Sequence, residues 1–238
     1  MRYGICKLSV VPMRKDASHT SELVSELLFN DIYSIIDENE EWLKIQCMYD
    51  SYEGWIRKLQ HEEITDDEYH DYISKEKYIV NMPTIYHDDM ILTFGSKVFE
   101  HIDGVIPLSK TYNSETITES AFKMLNVPYR WGGKSVMGID CSAFVQLCAK
   151  VAGYKLPRDA SQQYDFGESV DLSEAQSGDI AFFENQDHRI IHVGILLSRN
   201  MIIHASGKVR IDAIDSTGIF NKELGRYTHY LNKVKRLK

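Results

Sequence analysis

Tyr129-Arg130-Trp131-Gly132-Gly133-Lys134-Ser135-Val136-Met137-Gly138-Ile139-Asp140-Cys141-Ser142 reads as a glycine-rich loop that delivers a thiol to the start of a helix. Asp140 is a good N-cap, because a carboxylate can accept from the unpaired backbone N–H groups of a first helical turn. The residues after it carry a helical apolar pattern (Phe144, Val145, Cys148, Val151 and Ala152) that stops at Gly153. Cys141 therefore falls in the first turn, where free N–H groups and the positive end of the helix dipole favour thiolate over thiol. The thiolate is the nucleophilic form, and a cysteine in the middle of a buried helix would gain nothing comparable. The placement reads as a nucleophile.

A nucleophilic cysteine needs a base. His192 lies in Ile190-Ile191-His192-Val193-Gly194-Ile195-Leu196-Leu197 and His204 in Met201-Ile202-Ile203-His204-Ala205-Ser206-Gly207, two short apolar runs that read as strands. Ser198-Arg199-Asn200 between them is polar and turn-like, which predicts an antiparallel hairpin. With a three-residue loop the index sum of facing residues is 398, so His192 opposes Ser206 and His204 is its diagonal neighbour on the same face. An even-numbered loop would put the two rings on opposite faces. Same-face histidines can hydrogen-bond, which makes His192 the general base and His204 the group that orients it. His188 and His192 are four apart, but in a strand that spacing is too long for one ion, and no Glu follows His188 as in a zinc-peptidase helix. Neither a metal nor another cofactor is expected.

Five blocks in order carry a resemblance: Tyr129 to Val145, then Leu156-Pro157-Arg158-Asp159-Ala160-Ser161-Gln162-Gln163, then Ser177-Gly178-Asp179-Ile180-Ala181-Phe182-Phe183, then His192-Val193-Gly194-Ile195, then His204-Ala205. Together they resemble the NlpC-type cell-wall peptidases, a papain-like family, over residues 114–238. The resemblance implies a triad of Cys141, His192 and His204. It implies hydrolysis of peptidoglycan stem peptides, commonly at the bond between γ-D-Glu and the following diamino acid. It also places Tyr129 at the oxyanion site and Trp131, Asp140, Ser142 and Asp159 against the substrate. Ala160 stands where some relatives carry a hydroxyl residue, and the adjacent Ser161 is taken to supply it.

The N-terminal half reads as short strands between polar turns: Tyr3 to Val11, Glu26 to Leu28, Asp31 to Asp37, Trp42 to Met48 and Tyr52 to Arg57. Leu43, Ile45 and Cys47 alternate with Lys44 and Gln46 at period two, so one face is buried and a small barrel follows. The order of Val11-Pro12-Met13-Arg14, Ser21-Glu22-Leu23-Val24, Trp42-Leu43-Lys44-Ile45 and Tyr52-Glu53-Gly54-Trp55-Ile56 resembles a bacterial SH3-type domain over residues 1–63. After an acidic stretch from His61 to Asp71, residues 64–113 read as a second, divergent barrel or a β-rich linker domain, with a strand and turn in Met90 to Val98. Thr116-Ile117-Thr118-Glu119 has capping-box spacing and opens the catalytic half, whose first helix Asn126-Val127-Pro128 stops. The fold class is thus α+β, helices packed on one face of an antiparallel sheet, preceded by one or two small β-barrels. In relatives built this way the first barrel closes one end of the cleft, and an acidic residue and a tyrosine bind the substrate's free N-terminal amine. Glu22 and Tyr52 fit those positions.

The 238 residues are 43 % hydrophobic, enough for real cores, and carry a net charge of −8. That charge argues against nucleic acid and against an anionic membrane as partners. The partner that the resemblance implies is a stem peptide, L-Ala-γ-D-Glu-diamino acid. Cys141 and Cys148 are seven residues apart, about 10.5 Å along a helix at ~1.5 Å per residue, too far to bridge. Met1 to Arg14 lacks the pattern of a signal peptide, its apolar residues being broken by Lys7 and Pro12. With unpaired cysteines this predicts the cytoplasm, the periplasm or exterior being the alternative if a leader has been removed. Free muropeptides, and hence cell-wall recycling, are the substrate such a location offers. A general hydrolase of intact wall, a Cys-His acyltransferase and a non-catalytic wall-binding module are the competing classes.

Overall fold

Period-two alternation becomes strand in the first half of the chain. The computed structural model describes residues 2–108 and 113–238; Met1 and residues 109–112, the end of the segment read as second barrel or linker, lie outside the described residues. Two units are formed, residues 1–108 with 131–138, and residues 109–130 with 139–238.

In the first unit, β1 (Arg2–Ile5), β2 (Val10–Arg14), β3 (Leu23–Leu28), β4 (Ile32–Glu38), β5 (Trp42–Cys47), β6 (Glu53–Arg57) and β7 (Glu62–Ile64) form one antiparallel sheet in the order β3-β2-β6-β5-β4-β1-β7. Its inward residues, among them Met13, Leu27, Tyr33, Ile45 and Ile56, make a dry core. The single strand expected over Tyr3 to Val11 is two strands. The chain leaves the sheet at Cys6, whose N–H bonds the Asp31 carbonyl at 2.9 Å. The acidic stretch supplies β7 and then helix α1 (Asp66–Ser74), whose N-cap Thr65 and Glu68 form a reciprocal capping box. Beyond it, β8 (Tyr78–Val80), β9 (Thr84–His87), β10 (Met90–Thr93), β11 (Lys97–Val98) and β12 (Val105–Pro107) pair as a three-stranded sheet β11-β8-β12 and a separate hairpin β9-β10. Val80, Leu92, Val98 and Val105 pack there with Phe29, from the turn after β3. A buried ion pair, Lys97 to Asp31 at 2.9 Å, reinforces the contact.

The loop 131–138 belongs to this unit through side chains at β3 and on β10. Glu22 Oε1 accepts the Trp131 indole N–H at 2.6 Å, the buried Glu26 carboxylate accepts the Lys134 backbone N–H at 2.7 Å, and Thr93 Oγ1 accepts from Val136 N–H at 3.1 Å. Gly132 lies so close to the Leu23 carbonyl that a Cβ would stand 2.0 Å from its oxygen, and its φ is +73°. Short strands β13 (Lys134–Ser135) and β14 (Gly138–Ile139) pair with each other at the loop's end.

The second unit is mostly strand. Helix α2 (Ser114–Lys123) begins three residues earlier than the Thr116 capping box implies. Asn113 is the N-cap, its Oδ1 accepting from Glu115 and Thr116 N–H groups at 2.9 and 3.4 Å. Helix α3 (Cys141–Val151) starts from Asp140 and ends in a turn where Gly153 has φ +89°. Helix α4 (Ala160–Gln163) is a single turn. They precede β15 (Glu168–Val170), β16 (Ile180–Glu184), β17 (Ile190–Ser198), β18 (Met201–Ser206), β19 (Lys208–Ile214), β20 (Gly218–Asn221) and β21 (Arg226–Arg236). Strands β16 to β21 are joined in sequence order, and β21 also pairs back with β16, so the six close into an antiparallel barrel with β15 added at the end of β21. Helix α3 packs on β17 and β18, and α2 packs on α3. Among the described residues no helix is long and apolar enough to cross a membrane.

Gly132→Ala should destabilise the protein by more than about 2 kcal/mol, since the left-handed backbone alone costs an alanine about 1–2 kcal/mol and the Leu23 carbonyl blocks the methyl group. Gly207→Ala, at φ +70° with nothing within 4 Å, should cost only the backbone share. Urea unfolding of the two variants separates the contributions; equal midpoints would remove the steric argument.

Candidate active site

The nucleophile's turn is built around a buried guanidinium. Asp140 caps α3 by accepting the Ala143 N–H at 2.8 Å, and Arg158 grips the same carboxylate with both terminal nitrogens, at 3.0 and 2.6 Å. Arg158 Nη1 also reaches Ser142 Oγ at 2.9 Å, and Ser142 Oγ–H donates to Asp140 at 3.2 Å. Asp140 and Ser142, read from the sequence as substrate contacts, thus have their side chains buried and engaged inside the protein. Arg158 belongs to the Leu156–Gln163 block, whose sequence pattern does not announce this role.

Cys141 is buried at the first position of α3, and its sulfur takes a hydrogen bond from the backbone of Val193, the residue after His192. Burial, assisted by the Asp140 charge, pushes the thiol up to about 12, against the Val193 bond and Arg158. The helix-start argument for a resting thiolate is therefore outweighed. Tyr129 is half-buried and pushed up to about 12 by burial and by the nearby Cys141 and Asp140.

The histidine hairpin has the required register by a different turn. Gly194 faces His204, Ile195 faces Ile203 and Leu196 faces Ile202, so the index sum is 398, but Ser198 faces Met201. A two-residue turn, Arg199-Asn200, plus one bulged residue replaces the three-residue loop and leaves the phase unchanged. His192 Nε2 lies 2.8 Å from His204 Nδ1, and His204 Nε2 lies 3.0 Å from Asp212 Oδ2. Asp212 can only accept, so His204 carries its proton on Nε2 and presents Nδ1 as an acceptor. His192 must then carry its proton on Nε2, which leaves Nδ1 as the free lone pair. Arg210 holds Asp212 with Nε and Nη2 at 2.7 and 3.0 Å. Burial alone would raise the Asp212 carboxyl; the His204 and Arg210 bonds outweigh it and hold it below the ordinary range.

Burial, with His229 and His204 alongside, drives His192 well below the ordinary imidazole value, and burial lowers His204 against the pull of Asp212. Burial thus opposes charge on both members, thiolate and imidazolium alike. Asp212 and His229 were missed in the sequence. His229 offers a ring nitrogen within 4.8 Å of ligand atoms on His192 and His204, the one such histidine cluster among the described residues. The rings of His192 and His229 are stacked at 24°, so their in-plane lone pairs run side by side and do not converge at the 2.0–2.1 Å a metal needs. The cluster is arranged as a hydrogen-bond chain with a stacked neighbour.

Asp159 caps α4 in a capping box with Gln162, and Ser161 is exposed on α4. In the other unit Glu22 and Trp131 are hydrogen-bonded to each other, and half-buried Tyr52 packs against the first sheet's core.

The NlpC/P60 family profile matches residues 126–227, and that of the bacterial dipeptidyl-peptidase SH3 domain matches residues 13–60. The chain carries an NlpC/P60 domain behind a bacterial SH3 domain. A γ-D-glutamyl-L-lysine dipeptidyl-peptidase of Bacillus subtilis is 28% identical over 256 residues, covering 94% of this chain and 82% of that one. Dipeptidyl-peptidase 6 of Lysinibacillus sphaericus is 25% identical over 245 residues, covering 82% and 85%. The crystal structure of an NlpC/P60 family protein from Bacillus cereus superposes with a TM-score of 0.83 at 16% identity over 98% of this chain and 99% of that one, a likeness of fold. This NlpC/P60 protein is a cysteine peptidase.

Two measurements follow from the geometry of the peptidase. Since the base must be neutral and burial lowers its pKa, kcat/KM should stay level as pH falls through the ordinary histidine value of about 6.5 and decline only well below it; a midpoint at that value would mean a solvated base. Asp212→Asn can donate to His204 Nε2 and so reverse the proton positions along the chain. It should lower kcat by at least about 10-fold with little change in KM, and a wild-type kcat would show that Asp212 does not set the tautomer.

Proposed function

We propose that this peptidase hydrolyses the amide bond between γ-D-Glu and the diamino acid in free L-Ala-γ-D-Glu-diamino acid peptides, the form in which stem peptides are recycled in the cytoplasm. The likeness to dipeptidyl-peptidases along nearly the whole chain, SH3 domain included, carries this reading. An enzyme that removes a dipeptide must read a free amino end, and the diamino acid named for the Bacillus subtilis relative is L-lysine. In the proposed cycle the Cys141 Sγ–H proton passes to His192 Nδ1 as the sulfur attacks the γ-carbonyl carbon. The Cys141 backbone N–H and the Tyr129 hydroxyl take the oxyanion. The imidazolium, supported through His204 by the Asp212 charge, returns its proton to the departing amine. Water, deprotonated by His192, then attacks the thioester carbonyl carbon and frees the Cys141 thiol and a γ-carboxylate.

For amine recognition, Glu22 is the group we assign, with Tyr52 beside it in role. The Glu22 carboxylate is oriented by the Trp131 indole N–H at 2.6 Å and keeps a second oxygen, 3.6 Å from Lys15 Nζ, in a side chain 41% exposed. One oxygen is thus taken by a neutral donor and the other by an exposed ion pair, a weak contact that a substrate ammonium can replace.

Mass analysis of defined muropeptides tests the assignment. Free tripeptide should yield L-Ala-γ-D-Glu and the diamino acid, while stems still amide-linked to glycan should react little. Cys141→Ala and His192→Ala should abolish turnover in a folded protein. Glu22→Gln should raise KM for free tripeptide about 10-fold. Equal rates on intact sacculi would make the protein a general wall hydrolase, and a new amide or ester in place of a free carboxylate would make it an acyltransferase.

A further inference from the structure

His192 is walled on three sides, and two of the walls, Phe183 and His229, have no part in the hydrogen-bond chain. Phe183 of β16 stands 5.7 Å away, ring to ring, at 47°, and His204 meets the base edge-on at 5.0 Å and 84°. His229 of β21 lies flat on it, with centroids 4.0 Å apart and 24° between the planes. Barrel closure brings His229 there, because β21 pairs along one edge with β16 and along the other with β20. Its Nδ1 lies 3.0 Å from Thr228 Oγ1, and its ring also meets Phe183 at 6.1 Å.

One hydrogen bond to His204 fixes the direction of His192 Nε2 but leaves the ring able to tilt about that bond. Tilting moves Nδ1, which must meet the thiol proton within hydrogen-bond reach. A flat ring at stacking distance blocks the tilt and keeps water from that face. We propose that His229 is a positioning residue, which by stacking holds the plane of His192 so that Nδ1 stays poised to take the Cys141 proton.

The stack requires a neutral partner, since a second cation would oppose the imidazolium that forms on His192. Burial first, and then His204, push His229 down to about 4, with Asp212 pulling the other way. The charged or titratable groups around it are His192 of β17, His204 of β18 and Asp212 of β19; Phe183 of β16 and Ile219 of β20, its strand partner, are neutral.

The inference rests on His192 being the base of the peptidase reaction, so the His192→Ala variant is assayed alongside. Steady-state kinetics and the acid limb of kcat/KM are measured for His229→Ala, His229→Leu and His229→Phe, together with the iodoacetamide alkylation rate of Cys141. Ala and Leu should lower kcat by about 10-fold or more with KM little changed, and should move the acid limb to higher pH as the base becomes wetter. Alkylation should slow in parallel, a readout that does not depend on the substrate assignment. Phe, which has a flat ring but no nitrogen to bond or titrate, should restore kcat to within about 3-fold, the scatter usual for a single contact, and return the limb to its wild-type position. Wild-type kcat and acid limb in folded His229→Ala or His229→Leu would overturn the proposal, as would a folded but slow His229→Phe. If Ala and Leu fail to fold, the Phe variant decides alone. Full turnover in His192→Ala would instead overturn the base assignment, a separate failure.

Discussion

The buried pair between Asp140 and Arg158 is the interaction on which the reactive end of the second unit depends. Its side chains are 8% and 1% exposed, and removing one partner would leave a charge in the interior without its counterion, a loss of about 3–5 kcal/mol. The same carboxylate caps α3, and the same guanidinium reaches Ser142, whose carbonyl accepts from Gln163 Nε2 at 2.9 Å. Gln163 in turn donates to Pro157 O. The segment before α4, α4 itself and the first turn of α3 are therefore one hydrogen-bonded body with Cys141 in its middle.

Around that body the chemistry is set by two opposed tendencies. Dry packing opposes charge on thiol and imidazole, pushing the pKa of one up and of the other down. The row of acceptors behind the base, His204 and then Asp212 with Arg210, is oriented to receive positive charge. The ion pair that attacks substrate forms when the one Cys141 thiol proton passes to His192, a transfer that burial opposes and the row behind the base favours.

Much of this was legible in the residues, because the rules involved are local. Asp140 and the apolar spacing after it fix α3, and the apolar runs at 190–197 and 201–207 fix the hairpin. The turn is shorter than the three-residue loop the polar run implies while the phase is the expected one, since a bulge and an extra loop residue shift a register equally. The same index rule would have found Asp212. Gly207 makes a tight turn, Ser206 faces Lys208, and the constant sum puts Arg210 opposite His204 with Asp212 two residues on, along the same face. Likewise Thr65 and Glu68 carry a capping-box spacing inside a stretch read only as acidic. His229 is of another kind. It reaches the base through closure of a six-stranded barrel, a global condition that no spacing near His192 or near Tyr230 announces. Arg158 is similar, for nothing in the spacing of Leu156-Pro157-Arg158 announces that its guanidinium is buried against Asp140 and Ser142, eighteen and sixteen residues back.

The loop 131–138 is held by Glu22, Glu26, Leu23 and Thr93, yet its far end is joined through Ile139 and Asp140 to the nucleophile. The border between the two units therefore does not coincide with any single cut in the chain. Recombination of this gene with a relative's at the 113/114 junction would exchange a catalytic half together with eight residues moulded to another protein's barrel. Inheritance of the two halves is then coupled: substitutions at 22, 23, 26 or 93 are constrained by residues that lie more than thirty positions downstream, and a functional chimera has to carry 131–138 with the SH3 domain it came from.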